Sequence, residues 1–272
     1  MSLIFRKAAF LILACLLPGC ASTPKIAARE PQIARGMRIW PLDTTASLLG
    51  FPAKLLLWNR RYCNHHISEK TEAALRDYIQ RNQLYEVKFR LNQWAPFDEM
   101  KRLFKNHEVG IPYRIIAVPT TFIYSATGRL IGGLILSDYY DPFSHTVHIF
   151  SDDIAIALHE AGHAKDFSTR EWRGTYAMAR LLPGFDTYQE SVATDEAIDY
   201  LKITNQRKEA VRAYRVLYPA YASYVGSYLP TYPIGYIGAI IGGHVWGRME
   251  ARALEREFQL EDERQKFREA KV

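Results

Sequence analysis

The chain has only three cysteines in 272 residues, so it is no disulfide-stapled scaffold. It has no internal repeat and no block of like charge, which excludes solenoid arrays and charged interaction tails. With 16 Gly and 13 Pro it is neither collagen-like nor low-complexity. The balance of 48% hydrophobic and 24% charged residues is that of a globular chain with a real core. The formal charge of +6 is mild and spread out, and it falls to +4 once Arg6 and Lys7 are set aside with the leader described next. That charge gives no basis for nucleic-acid binding.

Residues 1–19 contain Arg6 and Lys7, no acid, and the ten-residue apolar run Ala8–Leu17. Ten apolar residues are too few to span a bilayer but suit a secretory signal. The signal ends in Leu17-Pro18-Gly19-Cys20, which resembles the bacterial lipobox. The resemblance implies cleavage before Cys20 and lipidation of that residue. Ala21 at the next position implies sorting to the outer membrane, facing the periplasm. Residues 20–36 then read as the lipidated Cys and a flexible tether, and 37–272 as a single domain. Cys15 goes with the signal, and Cys63 remains as a lone thiol.

Within the domain, residues 46–58 are strongly apolar and read as a packed first helix, with a membrane-surface segment as the alternative. Ser68 is placed to cap a helix to about Asn82, with Ala74, Leu75, Tyr78 and Ile79 on one face. Val87, Phe89 and Leu91 alternate with Lys88, Arg90 and Asn92, as in a strand. Pro96 and Asp98 open a short helix. The β-branched and aromatic runs 114–124 and 129–137, separated by Ala126-Thr127-Gly128, predict a hairpin. Residues 145–150 predict one more strand, and most of the chain beyond Asp153 reads as helix. The order predicts an α+β fold with a mostly helical C-terminal half.

The chemistry is concentrated in His159-Glu160-Ala161-Gly162-His163. Residues four apart share a helix face, so both imidazoles can reach one ion. Zinc accepts such nitrogens, and a catalytic site keeps a position open for water. Glu160, beside the first histidine, is placed to act on that water as general base. Ser151-Asp152-Asp153 supplies cap candidates, and Ile154–Leu158 leads in as an apolar helical run. Motif, helix and preceding strand together resemble the zincin metallopeptidases. That resemblance implies a small mixed or antiparallel sheet whose edge strand, here 145–150, runs beside the motif helix and aligns extended substrate.

A third ligand must come from elsewhere. Thr169 stands where a metzincin-like pattern needs His or Asp, so that pattern fails. Glu190 shares a helical face with Ala193, Thr194, Ala197 and Leu201, small enough to lie against the motif helix, whereas Glu196 shares one with Asp199 and Tyr200. Glu190 is therefore preferred. The segment resembles the E-x-x-A-(D) signature of gluzincins, which implies one zinc ion held by His159, His163 and Glu190. Thr194 stands where that signature has its acid, and Asp195 follows one place later. Thr194, Asp195 and Asp166 are candidates for orienting the ligand histidines. His244 and Tyr188 are candidates for the donor that meets a developing oxyanion.

Residues 231–246 are nearly uncharged and glycine-rich, with Gly238-x-x-x-Gly242 and Gly243-x-x-x-Gly247 resembling helix-contact motifs. They predict a helix buried beside the active site, and 248–272 a solvated one. The whole implies a lipid-anchored zinc metalloendopeptidase of the bacterial cell envelope, acting on a protein or peptide. The rival reading is a non-catalytic envelope lipoprotein with a structural metal site, a binding or assembly factor.

Overall fold

The computed structural model describes residues 30–131 and 137–270. The signal 1–19 and Cys20 lie outside the described residues. The fold is α+β: a small four-stranded mixed sheet embedded in helices.

The sheet consists of β1 (Ile33–Arg35), β2 (Lys88–Leu91), β3 (Tyr139–Asp141) and β4 (Thr146–Ile149), in the spatial order β1-β2-β4-β3. β1 runs parallel to β2 and β2 to β4, while β3 is antiparallel to β4. Register places Phe89 opposite Val147 and Leu91 opposite Ile149. These four side chains form the apolar face and join one core with helices on that side. The other face is polar yet buried. There α4 (Pro96–Lys105) brings Arg102 to Thr146, 3.1 Å, and Glu99 to His148, 3.1 Å. Burial works to raise the Glu99 pKa, but His148 and Arg102 hold it well below the carboxylate range. Lys88 and Arg90, which alternation alone assigns to solvent, are both buried on this side.

The strand expected at 145–150 is present, but it is not the edge. β4 is paired on both sides, and the edge beside the motif helix is β3, too short to show alternation in sequence. The tether is also shorter than expected. β1 lies within it, and Glu30 is held by Arg90 and Arg102, so the folded domain includes residues 30–36.

Around the sheet lie α1 (Trp40–Leu49), α2 (Phe51–Leu56), α3 (Glu69–Arg81) and α5 (Ile111–Ile131). Ser68 caps α3 by accepting from the Thr71 amide, as its position predicts, and Leu75, Tyr78 and Ile79 are buried. The hairpin predicted over 114–137 does not form; residues 111–131 are one helix. Its inward residues, Tyr113, Arg114, Ala117, Thr121, Ser125, Gly128 and Arg129, recur at helical spacing but are mostly polar or small. Its apolar residues face out, among them Ile115, Phe122 and Ile123. A helix inverted in this way gives the wrong hydrophobic period. Arg129 and Thr121 secure it through Asp43 (2.8 Å) and Asp141 (2.8 Å).

The C-terminal half contains α6 (Ile154–Ser168), α7 (Arg173–Ala179), α8 (Phe185–Ile203), α9 (Arg207–Ser227) and α10 (Ile234–Glu269). The segment 231–246 opens α10, but only one side of it is buried. A Cβ at Gly243 would come 2.8 Å from both the Pro219 Cα and the Tyr218 oxygen on α9, so the glycine permits the close crossing. Gly238 and Gly242 face open space instead. The second half of α10 is charged and largely exposed, as expected. Among the described residues, no helix is long and apolar enough to cross a membrane.

Candidate metal centre

The helix carrying the motif is α6, and its start is anchored. Asp153 caps it by accepting from the Ala155 amide, and takes Asn59 (2.8 Å) and Arg212 on its other oxygen. Ala157, Leu158, Ala161 and Ala164 are fully buried and fix the helix's rotation. Burial of Leu158 alone is worth about 1.5–3 kcal/mol. That rotation turns His159 and His163 towards α8.

Gly162 makes the approach of the two helices possible. A Cβ there would meet the Ala193 oxygen at 3.1 Å and its Cα at 3.3 Å. Glu190, one turn earlier on α8, then reaches both imidazoles. His159 Nε2 lies 3.0 Å from one carboxylate oxygen and His163 Nε2 lies 3.3 Å from the other. One ligand atom from each of the three residues falls within 4.8 Å of the others. Burial opposes ionisation of Glu190, yet the two histidines hold its pKa well below the ordinary value. The arrangement of two imidazoles and one carboxylate suits zinc chemically.

Glu160 is buried beside this group. Burial pushes its pKa up to about 8, against the pull of His159. The Thr194 hydroxyl is 3.3 Å from His159 Nδ1, which suits the orienting role considered for it. Asp195 does not share that role; it is exposed at the next position round the helix. Asp166 is buried but binds Arg170 and the Tyr176 hydroxyl rather than a ligand histidine.

Neither candidate oxyanion donor faces the centre. His244 gives both ring nitrogens to other partners, Leu56 O at 2.9 Å and Arg248 at 3.0 Å, and stacks on Trp58. The Tyr188 hydroxyl meets Arg170 at 3.4 Å. Two other residues occupy the space instead. Arg180, just past α7, pairs with Glu190, and Tyr224 of α9 lies with its hydroxyl beside the same carboxylate. Neither carries a local sequence signal: both reach Glu190 only through the packing of α7 and α9.

Three further histidines are engaged away from the centre. His148 faces Glu99, and His145 meets the Tyr140 hydroxyl at 2.6 Å. His65 lies between Asn92 (2.9 Å) and the buried Cys63 (3.2 Å). No protein family, curated protein or solved structure matches this chain.

Proposed function

We propose that this protein is a zinc-dependent metalloendopeptidase of gluzincin type, anchored to the bacterial cell envelope through lipid on Cys20. One observation carries the reading: two motif histidines and a carboxylate from a second helix converge, with a buried Glu160 adjacent. His159, His163 and Glu190 would hold the ion. Zinc held there supplies Lewis acidity towards water and a carbonyl group.

The chain's own residues do the rest. Among the described residues β3 pairs along one side only, with β4, and an extended peptide would add to its other side as a further strand. Glu160, as the unprotonated carboxylate, takes the proton of the attacking water and passes it to the leaving amine. Arg180 and Tyr224 supply a charge and a hydroxyl beside the reacting carbonyl, where negative charge develops. A non-catalytic role would be favoured by a fourth protein ligand, and His244, the candidate for it, is engaged elsewhere.

The test is Glu160→Gln. This variant should bind zinc as the wild type does and lose peptide hydrolysis by roughly 100-fold or more, the usual share of a general base. A Gln variant that cleaves a peptide library at the wild-type rate overturns the proposal.

A further inference from the structure

Residues 37–58 contain a stripe that the core does not use. Trp40, Leu48, Phe51 and Leu55 recur at helical spacing along α1 and α2, Trp58 follows just past the end of α2, and all five are 61–69% exposed. The two helices act as one bent rod: the Gly50 amide bonds to Ala46 O at 3.0 Å and the Lys54 amide to Gly50 O at 3.0 Å. Opposite the stripe, Asp43 and Ala46 are buried against the domain.

The charges around the stripe have one sign. Arg38, Arg60 and Arg61 are exposed beside it. The only acid from Met37 to Arg61 is Asp43, buried and paired with Arg129. The neighbouring helices continue the pattern. α5, which packs on α1, contains no acid and turns its apolar residues outward. On α10, Ile241 and Val245 are exposed on either side of His244, which stacks on Trp58. Trp, Leu and Phe on one face, with basic residues at the margins, suit the headgroup–acyl boundary of a membrane. An acidic protein groove would find only the two indole N–H groups as donors on this stripe.

We infer that the α1–α2 face lies on the surface of an anionic phospholipid bilayer, with the indoles of Trp40 and Trp58 at headgroup depth. The chain before the domain is compatible with this. From Cys20 to Glu30 it can extend at most about 36 Å, so lipid on Cys20, as proposed above, would keep this face close to the bilayer. The inference stands on the exposed face and its charges, and it is independent of hydrolysis.

The test uses the full chain, with Trp94, Trp172 and Trp246 replaced by Phe, reconstituted into phosphatidylcholine–phosphatidylglycerol vesicles. Brominated lipids should quench Trp40 and Trp58, and acrylamide should lose most of its access to them. The double variant Leu48→Glu/Leu55→Glu, both changes at exposed sites, should restore acrylamide access with the far-UV spectrum unchanged. Cys20→Ser should lower the bound fraction but leave the quenching of bound protein as it was, and Glu160→Gln should change neither. The inference fails if vesicle-bound protein keeps full acrylamide access at both indoles. It also fails if sedimentation shows the stripe buried in a dimer that Leu48→Glu/Leu55→Glu dissociates and vesicles do not.

Discussion

Thr194→Val tests how the proposed metal centre is oriented. With Nε2 of His159 turned to Glu190, the imidazole must carry its other proton on Nδ1 if Nε2 is to bind an ion. The Thr194 hydroxyl, 3.3 Å away, is the acceptor for that proton. Valine keeps the volume and removes the acceptor. Thr194 is 4% exposed, so water cannot easily replace the lost bond. A buried donor left unpaired costs about 1–3 kcal/mol. At 3.3 Å the bond is long, which puts the loss near the lower end, about 1–2 kcal/mol. Zinc affinity should then weaken by roughly tenfold, within the range usual for partners of metal-bound histidines. Competition with a chromophoric chelator measures it, and the zinc-induced rise in melting temperature should shrink in parallel. Thr194→Ser, which retains the hydroxyl, should stay close to wild type. If valine binds zinc as tightly as threonine, or serine loses as much as valine, the orientation argued here is wrong.

Gly243→Leu should separate α9 from α10, because even a Cβ would sit 2.6 Å from the Ala222 Cβ. A loss of about 1–3 kcal/mol or more is expected by urea unfolding, and Gly242→Leu, which faces open space, serves as the control. His145 gives a pH prediction. Burial lowers its pKa to about 4, whereas the unfolded residue titrates near 6.5. Its contribution is therefore intact above that value and is lost as the pH falls towards 4. The difference in unfolding free energy between wild type and His145→Asn should shrink by about 3 kcal/mol across the window. A pH-independent difference would show that His145 is not held neutral. Asn suits the left-handed backbone at this position, φ 56°.

What the sequence disclosed follows from how local each signal is. The motif helix, its acidic cap and the preference for Glu190 over Glu196 all rest on spacing within one helix, and the structure brings His159, His163 and Glu190 together. Helix α3 and strand β2 were legible for the same reason. Helix α5 was not, because its buried face is polar and its apolar face is exposed, so the usual period points to strands. β1 and β3 have three residues each, too few for alternation to show. Arg180 and Tyr224 reach Glu190 from separate helices, and only the packing of α7 and α9 reveals them. His244 looked suited to the site, but its helix brings it to Trp58 instead.

The abutment of Gly162 on Ala193 has a consequence for how this centre could change. His159, His163 and Glu190 all sit within about one turn of that contact, so their separation is set by the distance between two helix axes. The turn between α7 and α8, around Leu181, Leu182 and Pro183, takes no part in that spacing. Beyond Arg180, which must stay to meet Glu190, its sequence and length can drift, or be replaced by design, while His159, His163 and Glu190 keep their separation.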